Sequence, residues 1–132
     1  MNATPLVSVL TVGAGGALGA SLRFGLYSVV RRCCDAPTSI ATVLANILGC
    51  AIAGAIVACL ERSTHTQLYA TFLLTGVLGA FTTFSAFSVD ALRLLRSGHV
   101  GIAVAYVVVT NTIALSAAFG AYSIATSALA TT

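Results

Sequence analysis

Charge is what this sequence has least of. Of its 132 residues, 7% are Asp, Glu, Lys or Arg while 58% are hydrophobic, and the mean hydropathy is +1.03. A water-soluble domain carries roughly a quarter charged residues, so that class is excluded. The three acidic and six basic side chains leave four long runs bare: Leu6 to Leu22, Ser39 to Leu60, Gln67 to Val89 and Val100 to Thr132 hold no charge at all. Each reaches or approaches the roughly 20 residues an α-helix needs to cross about 30 Å of hydrocarbon. The pattern predicts an all-α membrane protein with four transmembrane helices, a single domain over residues 1–132 with spans near 5–30, 39–60, 67–89 and 100–128.

Other absences narrow the function. No basic residue precedes Leu6 and glycines interrupt the first run, so a cleaved signal peptide is not expected there. No carboxylate is expected within a membrane span and no nucleotide-binding loop occurs. A pump therefore lacks its parts, and so does a small four-helix drug/proton exporter. The four cysteines have no metal-ligand spacing: Cys33 and Cys34 are read as loop thiols, Cys50 and Cys59 as small apolar fillers on the second helix. His65 and His99 sit in short loops without a partner pattern, and the nearness of Asp90 to Ser88 and His99 in sequence makes no triad. An enzyme is not expected.

What the chain does have is small residues and misplaced polar ones. "RRCCDAPT" (31–38), "ERSTHT" (61–66) and "RLLRSGH" (93–99) connect the spans. "GAGGALGA" (13–20) and "GCAIAG" (49–54) place small side chains about one turn apart, which lets helix backbones approach closely in lipid. Four short helices enclose little volume, so a polar pathway calls for at least a dimer. Asn46 falls near the middle of the second span, and Tyr106, Thr110 and Asn111 in the fourth, with Tyr106 and Thr110 on one helical face. A buried amide must find a partner or line a wet cavity.

The third run carries the oddest stretch, "GVLGAFTTFSAFS" from Gly76 to Ser88. Gly76 and Gly79 weaken the helix, and Thr82, Thr83 and Ser85 can re-satisfy freed backbone groups, so a broken third helix is expected. Such a break exposes carbonyl oxygens and amide ends, the equipment of an ion site. Phe84 and Phe87, three residues apart, share a face. A phenyl ring is positive at its edge, so an anion can lie in the ring plane while Ser and Asn donors replace some of its water. A non-conducting membrane interaction protein would explain the small-residue faces but leave Asn46 and the rings without a purpose.

Three motifs in order resemble the Fluc (CrcB-type) fluoride channels over nearly the full length. "GGALGASLRF" (15–24) is similar to that family's first-helix GGxxGxxxR pattern, "TVLANILG" (42–49) to its second-helix TLxxNxxG, and Gly76 to Ser88 to its third-helix break. The resemblance implies an antiparallel dual-topology dimer with two fluoride pores, exporting cytoplasmic fluoride passively and conferring fluoride resistance on the cell, and a structural sodium ion at the two-fold axis. It implies Phe84 and Phe87 as ring-edge fluoride ligands and Asn46 as amide donor. Ser85, Tyr106 and Thr110 would lie along the polar route. Arg23 would face an aqueous vestibule, raising the local anion concentration. Gly79 and Thr82 would give backbone carbonyls to the sodium, hard neutral ligands that suit it. Ala86, Ala114 and Ala118 stand where relatives carry hydroxyls, so part of the usual track is missing.

The arginines are unevenly placed. Arg31, Arg32, Arg93 and Arg96, with Arg23 near them, belong to the first and third connections, and Arg62 alone to the other side. The positive-inside rule then puts the first and third connections in the cytoplasm, at the inner (plasma) membrane. An antiparallel homodimer wants near balance, so a heterodimer with a paralogue of opposite bias is the alternative to a homodimer.

Overall fold

The structure, a computed structural model, describes residues 4–34, 37–62 and 66–130. Four helical paths are long and apolar enough to cross a membrane: Pro5–Cys34, Thr38–Leu60, Gln67–Arg96 and Val100–Ala130. The chain is a multi-pass membrane protein. Three of the paths are 30 or 31 residues long, about 45 Å at 1.5 Å per residue, so they must tilt or project from the bilayer.

Helix α1 (Pro5–Cys34) continues through Arg31 and Arg32 to its last turn. Cys33 and Cys34 are therefore helical and exposed rather than in a loop. Basic side chains at a helix C-terminus complement the macrodipole, which explains why the helix runs past its apolar part. Asp35, Ala36, Ser63, Thr64 and His65, with the loop expectations that fall on them, lie outside the described residues. Pro37, extended at the N-cap, opens α2 (Thr38–Leu60).

The third path is not one helix. It starts as α3 (Thr66–Ala70), widens into a π-helical segment (Thr71–Leu78), tightens again in α4 (Gly79–Phe81), and after two extended residues, Thr82 and Thr83, resumes as α5 (Phe84–Arg96). Gly76 and Gly79 are both helical; the helical hydrogen bonding lapses at the threonines. Gly98, at φ 81°, turns the chain into α6 (Val100–Ala130), a conformation that favours glycine.

The interior is made of small residues. The buried apolar side chains are mostly alanines, Ala41, Ala45, Ala58, Ala103 and Ala114, while Leu10, Phe24, Ile52, Val108 and Phe119 point outward. Lipid gives helices no hydrophobic reason to associate, so close backbone packing takes over. On α1, Gly15 and Gly19 meet the third path: a Cβ on Gly15 would lie 2.7 Å from the Phe72 carbonyl oxygen and 3.0 Å from the Gly76 Cα, and one on Gly19 would overlap the Val77 carbonyl. Gly54 does the same for α2 and α6, against the backbone of Ala118. Ala118 is thus a packing position in this chain.

This close approach gives a first prediction. Gly19→Ala is expected to leave little or no correctly assembled protein by size exclusion, because the obstacle is backbone that has nowhere to move. Gly101→Ala adds a methyl that meets nothing within 4 Å among the described residues, and is expected to purify like the parent. Normal assembly of Gly19→Ala would show that the two helices can separate without cost.

Candidate functional site

The site is built around Thr82 and Thr83, where the helical ladder lapses and two of the freed amides find new partners. In a continuous helix the Thr83 N–H would donate to the Gly79 carbonyl and the Ala86 N–H to that of Thr82. Instead the Thr83 N–H donates to Asn46 Oδ1 at 2.8 Å, and the Ala86 N–H to Thr83 Oγ1 at 3.1 Å. Those carbonyls, Gly79 and Thr82, lose their helical donors. Thr83 is the N-cap of α5 in the sense that favours Ser and Thr. The Thr82 hydroxyl donates back to the Leu78 carbonyl at 2.9 Å.

Asn46 reaches across from α2 to hold the interruption open. Besides accepting from the Thr83 N–H, its Nδ2 donates to the Thr83 carbonyl at 3.1 Å. Both backbone groups of an extended, buried residue are satisfied by one side chain, and a single amide hydrogen of Asn46 is left over. Gly49, one turn along, makes room for the Thr82 side chain.

Two cavities flank this point. The smaller, about 220 Å³, is lined by Asn46, Cys50, Thr82, Thr83, Phe84, Phe87, Thr110, Asn111 and Ala114. The Phe84 and Phe87 rings lie 5.6 Å apart and tilted by 41°, and Tyr106 stacks on Phe87 at 5.2 Å. Phe87 is 6% exposed whereas Phe84 is 77% exposed on the single chain. The Tyr106 hydroxyl is buried near Asp90 and Thr42, with no hydrogen bond of good geometry among the described residues. Thr110 is 4% exposed.

The larger cleft, about 600 Å³, is lined by Arg23, Tyr27, Thr42, Thr83, Ser85, Ala86, Asp90 and Arg93 among others. Thr83 borders both cavities, so the interruption separates a ring-lined pocket from an arginine-lined cleft. Of the residues singled out from sequence, Asn46, Phe84, Phe87, Thr82 and Thr110 meet in the pocket. Ser85 and Arg23 belong to the cleft, with Ser85 exposed and 3.2 Å from Thr83 Oγ1. Ala114 is a bare wall of the pocket and Ala86 of the cleft.

Asp90 is the residue that sequence reasoning passed over. It is 7% exposed on the inner face of α5, so the expectation that no carboxylate lies within the spans does not hold for the third path. Its Oδ2 accepts from the Thr42 hydroxyl at 3.0 Å, and Thr42 in turn is 2.9 Å from the Tyr27 hydroxyl; with Thr42's proton on Asp90, Tyr27 is the donor. Its Oδ1 is 3.5 Å from Arg93. A buried carboxylate survives by such pairing. The signal was present: Asp90 is three residues beyond Phe87 and three before Arg93, so it continues the ring face. His99 remains exposed, with Nδ1 3.2 Å from the Ser97 hydroxyl.

The family model for CrcB-like protein, Camphor Resistance (CrcB), matches residues 10–122, which takes in every residue of both cavities. Relatives agree with it. A protein of Cereibacter sphaeroides named fluoride-specific ion channel FluC is 43% identical over 100 residues, 76% of this chain and 79% of its own. Those of the same name from Saccharophagus degradans and Stutzerimonas stutzeri are 38% identical over 116 residues and 44% over 97, covering 87% and 73% of this chain and 86% and 78% of theirs. With the match running from the first helix into the fourth, the chain belongs to the CrcB family.

Proposed function

We propose that this protein is a fluoride-selective ion channel, not an enzyme, and that it lets cytoplasmic fluoride leave the cell passively, giving fluoride resistance. The observation that carries the reading is the pocket of about 220 Å³ in which the Phe84–Phe87 pair meets the Asn46 amide and Thr110 without any charged side chain. Neutral donors and positive ring edges can replace water around a small anion without trapping it as a buried arginine would. The names of the relatives point to the same ion. The cleft supplies the approach: Arg23 and Arg93 outnumber Asp90 there and raise the anion concentration outside the pocket. Tyr106, stacked on Phe87, is the next donor along the route. The test is fluoride efflux from liposomes holding only this chain, run beside chloride. Rapid fluoride and negligible chloride are expected; comparable chloride flux, or no fluoride flux, overturns the reading.

The working unit of this reading is an antiparallel dimer in the inner (plasma) membrane. Phe84, exposed on the single chain at a depth where only lipid is available, becomes a pore wall once a second copy covers it. Sodium fits the carbonyls of Gly79 and Thr82, since both have lost their helical donors and neutral oxygens suit a hard cation. A bound ion would add electrostatic cohesion between the two copies. Prolonged exchange into sodium-free buffer is expected to slow fluoride efflux or loosen the dimer. Equal activity whatever cation is supplied would remove sodium from the account.

One observation favours a second reading, a heterodimer with a paralogue. The ends of α1 and α5 carry Arg31, Arg32, Arg93 and Arg96, against Arg62 after α2, a bias that favours one orientation. Single cysteines near Thr64 and near Gly98, introduced without the native cysteines and leaving every arginine in place, distinguish the two from outside intact cells. Equal labelling at both positions is expected of the homodimer. Labelling confined to the Thr64 side means fixed orientation and a missing partner.

A further inference from the structure

Asn111 lies twelve residues into α6, a helix of 31 residues, and so about 16 Å along its axis. At that depth lipid offers no hydrogen bond. The side chain is exposed on the single chain, yet it lines the same pocket as Phe84, Phe87, Asn46 and Thr110. Its Nδ2 donates to the Val107 carbonyl at 2.7 Å. A carbonyl only accepts, so the nitrogen is the end that faces it, and a second amide hydrogen is left unspent. Ala114, beside it in the pocket wall, has no polar group to offer.

We infer that Asn111 is a specificity-determining residue of this pore: its second amide N–H meets the anion in the ring-lined pocket, where it replaces water that the wall at Ala114 cannot. The inference rests on the fluoride-channel reading. Its physical content is that the pocket receives an amide donor from α6 as well as from α2, so a dehydrating anion is held by two amides in place of one. Small, strongly hydrated fluoride gains more from a fixed N–H than chloride does, because its charge is concentrated nearer the donor.

Two variants separate this role from packing. Asn111→Leu removes the amide. Asn111→Asp keeps the shape and, assayed at an alkaline pH where its carboxyl is ionised, has no hydrogen to give, whereas the protonated acid would still offer an O–H. Each is reconstituted as assembled protein isolated by size exclusion, and fluoride and chloride efflux are measured beside the wild type. Both are expected to conduct fluoride about tenfold more slowly or worse, the scale of one hydrogen bond to a charged group, with a lower fluoride-to-chloride ratio. Wild-type fluoride flux from assembled Asn111→Leu overturns the inference. So does a loss confined to failed assembly of Asn111→Leu while assembled Asn111→Asp conducts normally, since that assigns Asn111 to the contact between copies. Absence of fluoride flux from the wild type sinks the channel reading itself, which the same experiment tells apart.

Discussion

Replacing Phe87 by isoleucine is expected to stop most fluoride flux while the folded protein survives. The ring is 6% exposed, packed between Phe84 at 5.6 Å and Tyr106 at 5.2 Å. Isoleucine fills much of the same volume, so cavity formation stays modest, but it has no quadrupole and no electropositive edge. Phe84→Ile is the companion experiment, and its packing cost is smaller still because the ring is largely exposed on the single chain. The measurement is fluoride efflux per assembled protein. Unchanged efflux in both variants would return the rings to ordinary packing and leave the pocket without its anion ligands.

Asn46→Ala is expected to do damage of a different kind, to the backbone as well as to the flux. The Thr83 N–H and carbonyl both depend on this one side chain, and Thr83 is buried. Alanine strands the two groups in a low-dielectric interior at about 1–3 kcal/mol each. The local escape is for Thr83 to rejoin the helix, which would return its N–H to the Gly79 carbonyl and rotate Phe84 and Phe87 out of the pocket. A lowered unfolding temperature in detergent together with lost fluoride efflux is therefore expected. Retained efflux at full stability would mean that water can replace the amide, and that Asn46 does not hold the interruption open.

How much of this could be read from the sequence depends on range. The four spans were legible because charge-free runs report directly on the bilayer, and the Phe84–Phe87 and Tyr106–Thr110 pairs because helical periodicity is local. The pairing of Asn46 with Thr83 joins residues 37 apart, and no pattern within one helix announces it. Asp90 escaped because it is the first residue beyond an apolar run, where a charge looks like the end of a span; α5 carries it onto the buried face instead. The glycines misled for a related reason. Gly76 weakens the helix by propensity, but its missing side chain serves the approach of Gly15, and the extended residues are the two threonines whose hydroxyls and partners can compensate the backbone. The π-helical segment at Thr71–Leu78 has no comparable sequence mark.

An interior built from alanine and glycine inverts the usual map of mutational sensitivity. In a soluble core the vulnerable positions hold the largest side chains, since truncation leaves a void. Here most large side chains face outward and, Phe87, Leu78 and Val30 apart, there is little buried bulk to delete. The positions least free to vary are those with nothing left to lose, Gly15, Gly19 and Gly54, where a single added carbon collides with a neighbouring backbone. Drift in this chain is consequently asymmetric: Leu10, Ile52 or Val108 can exchange among apolar residues in lipid, while enlargement along the helix crossings is purged. A substitution scan scored by lost volume would rank the residues of this protein almost in reverse.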